Sequence, residues 1–366
     1  MKSSIITVLH TEWSDGWGGQ EIRIISEMEG VRKAGVNVFL ACREGAQIKE
    51  KALERGFNVF VLPFKGNTDL KTLYGLYKII KKNKVDIVNT HSGKDTWVGG
   101  IAAKLAGVKF IRTRHLSNDI RCSRLNFINE LADYIFTTGE SIRERMIQHN
   151  RIKPQKIQSI PTGIDEEIFR AGLYDRSDCR KEFKINDDEL AIGIIAVLRA
   201  FKRHDRFVEL VARIVDGNQN KKLKFFIAGD GPQREAIEKK IEDLNLTQYI
   251  TCLGHVKNVP VLLRALDIFI LTSDSKEGVP QSVMQALLMD KAVIATDSGS
   301  TGDLYENENF VLVDRNDVEK MFFELNHLIN NTEEIERYSN KARSYVCENF
   351  SHKKMIINIM NVYRKI

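Results

Sequence analysis

The chain has 366 residues, 43% hydrophobic and 28% charged, with a formal net charge of +6. That length suits two domains with real cores, and the composition excludes a disordered chain and any apolar run long enough to span a bilayer. Five cysteines (Cys42, Cys122, Cys179, Cys252, Cys347) are scattered and odd in number, which reads as free thiols in a reducing compartment and excludes a disulfide frame or a cysteine metal site.

The elements follow in chain order. Met1-Lys-Ser-Ser runs straight into a strand, Ile5 to Leu9, without a signal-peptide pattern, so a cytoplasmic location is expected. A long loop, His10 to Glu21, carries Gly18-Gly19 directly before a helix ending at Lys33. Strand Val36 to Leu40, helix Gln47 to Glu54, strand Asn58 to Leu62, helix Leu70 to Lys82 and strand Asp86 to Thr90 come next. The loop His91-Ser-Gly-Lys-Asp95, with Lys94, opens a helix from Trp97 to Ala106, and strand Phe110 to Arg114 ends at His115. Strand Tyr134 to Thr138, helix Ser141 to Gln148 and strand Ile157 to Ile160 close this half. Arg170 to Arg180 is charged and without strand pattern, so it reads as the linker.

The alternation then restarts, with strands at Leu190–Leu198, Lys224–Ala228, Ile250–Leu253, Asp267–Thr272, Ala292–Thr296 and Phe310–Val313. Helices are expected over 206–215, 233–244, 318–329 and 333–348, and a last amphipathic helix over 350–366. Between Thr272 and Ala292, Pro280 is expected at the first position of a helix whose core stripe is Val283, Ala286 and Leu287. Strands alternating with helices predict parallel sheets covered on both faces, and such sheets bind ligands at the carboxyl ends of their strands.

Polar signals cluster at those ends. Arg199 and Lys202 follow one strand, Gly229-Asp-Gly231-Pro the next, Gly254-His-Val256 the next, Glu277-Gly278-Val279-Pro280-Gln281 the next and Gly299 to Asp303 the last. A bidentate guanidinium and a point-charge ammonium beside a helix N-terminus suit a diphosphate. Gln285 lies eight residues beyond Glu277, about 12 Å along at the helical rise. Basic clusters at Lys78–Lys84, from Arg112 to Arg124 and near the C-terminus suit solvated helix faces, an anionic membrane surface or phosphorylated substrates. No zinc-finger, RNP or KH pattern accompanies them, so no nucleic-acid partner is expected.

Together these motifs resemble the family-4 glycosyltransferases, retaining enzymes of the GT-B fold, over nearly the whole chain. The resemblance rests on Gly18-Gly19, His115, Arg199 with Lys202, Gly229 to Pro232, Leu253-Gly254, Glu277 to Gln285 and Gly299 to Asp303. It implies an α/β protein of two Rossmann-like domains facing an inter-domain cleft. The N-terminal, acceptor domain would comprise 1–168 with 350–366 crossing back, and the donor domain 169–349. By that likeness Arg199 and Lys202 neutralise the departing diphosphate, Glu277 and the segment Gly278 to Gln281 hold the donor sugar, and Gly231, Gly254 and Val256 lie against the nucleotide. Gly18 and Gly19 close over phosphates, and His115 sits near sugar and acceptor.

The family usually has a glutamate where this chain has Gln285, which offers one carbonyl acceptor to two ribose hydroxyls. Asp303 likewise replaces a common Glu. The resemblance implies a UDP- or GDP-sugar as substrate, no cofactor and no metal, and a glycan or glycolipid acceptor of the bacterial cell envelope. Lys94, Arg112, Arg114, Arg121 and Arg124 could then face a phosphorylated glycolipid or the inner membrane surface. A nucleotide-sugar epimerase, or a non-catalytic binder on the same fold, is the alternative.

Overall fold

The structure is a computed structural model that describes residues 5–115, 120, 127–275, 277–339 and 342–366. The chain divides into two compact units, Met1–Gly163 with His352–Ile366, and Ile164–Ser351.

In the first unit the elements run β1 (Thr7–Glu12), α1 (Gly19–Lys33), β2 (Asn37–Cys42), α2 (Gln47–Glu54), β3 (Asn58–Val61), α3 (Leu70–Lys82), β4 (Ile87–Thr90) and α4 (Gly93–Ala106). They continue through β5 (Lys109–Arg114), α5 (Ile128–Leu131), β6 (Tyr134–Thr137), α6 (Glu140–Asn150) and β7 (Ile157–Ser159). The strands form one parallel sheet in the order β3-β2-β1-β4-β5-β6-β7. Successive residues point to opposite faces, so Val8 joins the core under α1 while Leu9 joins the core under α3 and α4. Helix α4 lies hard on the sheet because Gly99 and Gly100 carry no side chain: a Cβ at Gly100 would stand 2.6 Å from the Phe110 ring. Strand order reverses at β1 and β4, and the carboxyl ends there are where an open α/β sheet binds ligands.

The second unit holds α7 (Arg176–Glu182), β8 (Leu190–Ile195), α8 (His204–Gly217), β9 (Leu223–Ala228), α9 (Arg234–Asp243), β10 (Ile250–Gly254), α10 (Val259–Ala265) and β11 (Ile268–Leu271). It continues with α11 (Gln281–Leu288), β12 (Ala292–Asp297), β13 (Val311–Asp314), α12 (Val318–Asn330), α13 (Thr332–Ser339) and α14 (Arg343–Phe350). Its sheet is also parallel, ordered β10-β9-β8-β11-β12-β13, with the reversal at β8 and β11.

Three local expectations are corrected. Arg170–Arg180 is not a linker: it contributes to α7, and Arg180, 3% exposed, donates to the carbonyls of Asn186 and Glu189 at 2.6 Å and to Asp267 at 3.2 Å. Guanidiniums that look solvated by composition are consumed by carbonyls and a carboxylate folded against them from later in the chain. The helix expected over 333–348 is two helices, α13 and α14. The last helix does not begin at Phe350, which ends α14. Extended Ser351 bridges to Ile164, and α15 (His352–Lys365) follows.

Helix α15 packs on α1 in the first unit. A Cβ on Gly30 would fall 2.3 Å from Ile356 Cδ1, so glycine there lets the two helices meet. Tyr363 donates its hydroxyl to Glu27 Oε1 at 3.2 Å, and Asn89 donates to the same oxygen at 3.1 Å. His352 Nε2–H donates to the Ser26 carbonyl at 3.0 Å.

Candidate active site

In the second unit the loops at the strand ends are stitched to one another. After β9, Gly229 (φ 145) and Gly231 (φ 155) take conformations that side chains rarely adopt. A Cβ at Gly229 would stand 1.9 Å from the Ala196 carbonyl oxygen, and one at Gly231 2.8 Å from that of Leu198. Leu198 N donates to the Asp230 carbonyl and Gln233 N to the Leu198 carbonyl, each at 3.0 Å. These contacts fix the start of the segment that carries Arg199 and Lys202. Gly229 N donates to the Gly254 carbonyl at 2.8 Å, which ties in the end of β10.

The same segment is tied to the loop after β11. Asp274 N donates to the Phe201 carbonyl at 2.9 Å, and Thr272 Oγ1 lies 3.0 Å from the carbonyls of Lys202 and Arg203. Arg203 has φ 53, in the left-handed region, and its guanidinium is held by Asp205 at 2.8 Å. Lys202 Nζ then reaches Glu277 Oε1 at 2.5 Å, and Ser273 Oγ donates to the same oxygen at 2.6 Å. So the structure brings Lys202 and Glu277 together as an ion pair, while Arg199 is solvent-exposed. Glu277 itself is 6% exposed. Its backbone is fixed by the loop after β12: Gly299 has φ 61, and a Cβ there would stand 2.0 Å from the Glu277 carbonyl oxygen.

Pro280 is the N-cap of α11, in extended conformation, and not its first helical residue. Val279 and Pro280 are buried, whereas Gly278, Gln281 and Gln285 are half-buried on this loop and first turns. Val256, partly buried, packs on the adjoining core. A cavity of about 580 Å³ opens beside Arg199, lined also by Phe201, Arg203, His204, Gln233 and Lys240. His204 was not singled out in sequence. It is 2% exposed, both ring nitrogens lack a partner among the described residues, and burial holds it down at about 4, hence neutral at pH 7.

In the first unit the polar groups sit at the ends of β1, β4 and β5. His10, inside β1, is completely buried, and its Nδ1 lies 2.9 Å from His91 Nε2. His91 Nδ1 lies 3.0 Å from His115 Nε2. His115 is thus the last of three linked imidazoles. The expected loop from His10 to Glu21 starts later, because His10, Thr11 and Glu12 continue β1 and are buried there; a polar run after an apolar strand gave no local sign of that. Burial pulls His10 down to about 3, and burial plus the neighbouring rings and the Arg23 guanidinium hold His91 well below its usual range. Burial, Arg23 and Arg114 do the same to His115.

Glu12, also fully buried, is pushed up to about 8 by burial and then by the Asp95 carboxylate, against hydrogen bonds from Ser14 N and Gln20 Nε2. Gly18 caps α1 in extended conformation, and its N–H donates to Glu21 Oε2 at 2.8 Å. A carboxylate therefore occupies a position where the Gly18-Gly19 pair was expected to receive phosphate. Lys94 Nζ stands 3.8 Å from the centre of the Trp13 ring. Arg112 is buried, which lowers it to about 9, and Arg114 is half-buried. Arg121 and Arg124 lie outside the described residues. Among the described residues no group of three His, Cys, Asp or Glu is placed to hold a metal ion.

Two Rossmann-like parallel sheets, each with its polar groups at the carboxyl edge, define the GT-B class of α/β protein. Residues 17–168 match the model of Glycosyltransferase Family 4 and residues 175–345 that of Glycosyl transferases group 1. Only the two ends and a short gap are left outside, so the chain belongs to these glycosyltransferases. It is 26% identical, over 99% of its length and 98% of the relative's, to the UDP-Gal:alpha-D-GlcNAc-diphosphoundecaprenol alpha-1,3-galactosyltransferase of Escherichia coli. In fold it is similar to a glycosyltransferase from Rickettsia africae (TM-score 0.88, 20% identity, covering 99% of this chain and 98% of that one). It is also similar to HepE of Anabaena in complex with UDP and glucose (TM-score 0.85, 18% identity, 99% and 100% covered). Among the described residues no helix is long and apolar enough to cross a membrane.

Proposed function

We propose that this chain transfers a sugar, with retention, from a UDP- or GDP-sugar held on the second unit to a glycan or glycolipid held on the first, in assembly of bacterial envelope polysaccharide. The observation that carries this reading is the Lys202–Glu277 pair, set at the end of β11 by Ser273 and by the Gly299 contact. An ammonium has three donors and a carboxylate about four acceptor sites, so the pair keeps valences for a ligand. Lys202 with Arg199 offsets the charge growing on the departing diphosphate, and Glu277 takes sugar hydroxyls. Gly231, Gly254 and Val256 border the nucleotide, while Gly278 to Gln281 border the sugar and Gln285 the ribose.

The acceptor reading is supported by the Escherichia coli relative, whose name gives its acceptor as a sugar on a lipid diphosphate. Lys94, Arg112 and Arg114 are the cations of the first unit that would meet such a phosphate, with His115 at the reacting groups. Peripheral contact with the cytoplasmic membrane face is supported by α3, where Leu70 (76% exposed) and Tyr74 (58%) stand among Lys71, Lys78, Lys81 and Lys82. The protein would work in the cytoplasm. Charge compensation by Arg199 and Lys202 makes a divalent ion unnecessary in this reading, so turnover should persist in EDTA.

The test incubates the protein with labelled UDP- and GDP-sugars, with and without glycolipid extract. Label on lipid supports transfer, a changed donor sugar points to epimerisation, and binding without turnover points to a non-catalytic relative. Lys202→Ala with undiminished turnover would refute the site.

A further inference from the structure

The three linked histidines of the first unit obey a simple hydrogen count. They carry six ring nitrogens, and two hydrogen bonds, His10 Nδ1 to His91 Nε2 and His91 Nδ1 to His115 Nε2, occupy four of them. Each bond holds one hydrogen. Two nitrogens remain at the ends, His10 Nε2 and His115 Nδ1. A neutral chain has three hydrogens, so one is left for a single end. A chain bearing one positive charge has four and must fill both ends.

The ends are not equivalent. His10 is fully buried, and its Nε2 has no partner among the described residues. A buried N–H without an acceptor is among the rarest and costliest polar groups in a folded protein. His115 stands half-buried at the end of β5, next to Arg114. The neutral chain therefore places its last hydrogen on His115 Nδ1, with Nδ1–H on all three rings. Any state in which His115 Nδ1 accepts a proton needs either the hydrogen already on His10 Nε2 or a cationic chain, and both put N–H on His10 Nε2. A cation here would also face the buried Arg23 guanidinium, which opposes charge on His91 and His115.

We propose that the His10–His91–His115 chain holds His115 as a hydrogen-bond donor at Nδ1 and bars it from taking up a proton, with His91 and His10 as positioning residues. What that donor meets rests on the function proposed above: an oxygen of the sugar or acceptor accepts from it. The proton released by an attacking hydroxyl then goes to a group other than His115.

The test is NMR of the full chain labelled with ¹⁵N in the histidine rings, with assignment by His115→Gln. Bonded and bare ring nitrogens have distinct shifts. At pH 7, His115 should show hydrogen on Nδ1 and a bare Nε2. A bare Nδ1, or hydrogen on both nitrogens, overturns the proposal. In His91→Asn, whose amide can turn either group toward His115 and is cut off from His10, a measurable share of His115 should carry hydrogen on Nε2. A pattern unchanged from wild type would show that the chain does not set it. If His91→Asn fails to fold, the wild-type spectrum alone decides. Turnover is read apart: His91→Asn should lower kcat about tenfold, with KM for the nucleotide-sugar within about twofold. Wild-type kcat in His115→Phe would sink the placement of His115 at the reacting groups while leaving the spectral result standing.

Discussion

The two units use one architecture for opposite electrostatic ends. At the β8/β11 reversal of the second unit, the groups are charged and paired, Lys202 on Glu277 and Arg203 on Asp205. At the β1/β4 reversal of the first unit, burial drives the groups toward neutrality: three histidines held low and a Glu12 carboxyl held high. Fixed charge suits a site that must meet a diphosphate, because oppositely charged, pre-set groups need no rearrangement when negative charge grows. Neutral, desolvated groups suit a site that orients hydroxyls by hydrogen bonds. The lesson is that the same strand-end geometry becomes one or the other according to whether a buried group is given an opposite charge, as Glu277 is by Lys202, or none, as with the three histidines.

The largest expected effect is at the charged site. Lys202→Ala removes the ammonium and leaves Glu277 unpaired, and kcat should fall at least about a hundredfold in the donor assay. Next is Gly299→Ala, which would put a Cβ only 2.0 Å from the Glu277 carbonyl oxygen, at φ 61. Lost turnover and about 1–3 kcal/mol of stability are expected in denaturant melts. Gly18→Ala, by contrast, would bring its Cβ no closer than 3.6 Å to Glu21 Oε2 and should cost under about 1 kcal/mol. Equal effects at these two glycines would break the contrast between the units.

The neutral site is sharpened by pH. Glu12 in the fold is raised to about 8 from an ordinary 4.5, so the folded state holds a proton that the unfolded chain has released. Its contribution is therefore present in full below pH 4.5 and lost as pH rises through about 8. Melting temperature should decline over that window, and Glu12→Gln should flatten the decline; an unchanged slope would show that Glu12 is ionised in the fold. The smallest effect expected on catalysis is Gln285→Glu, which under the proposed function would offer ribose hydroxyls a second acceptor oxygen. It should lower KM for the nucleotide-sugar a few-fold, about 1 kcal/mol, with kcat little changed.

Period and punctuation carried most of the fold. Helices Gln47–Glu54 and Leu70–Lys82 have the bounds that their apolar spacing predicts, and the strand-end positions of His115, Arg199, Glu277 and Gly299 follow from the alternation. What escaped lacked a local signal. Helix α10 is short and carries Pro260 in its first turn, and the guanidiniums of α7 look solvated until Asp267 is folded against them. Glu277 was legible as a strand-end carboxylate but not as the partner of Lys202, 75 residues away. His10 was read as the first residue of a polar loop, because nothing local marks it as a buried strand residue and the inner end of a chain.

By itself the sequence determined the class of fold, the family and the strand-end set, since hydrophobic period and short motifs act over a few residues and survive without the rest of the chain. Tertiary structure alone decided which of those groups pair, which are charged and which are neutral. Pairing joins residues far apart in the chain, and ionisation depends on how completely water is removed around each group.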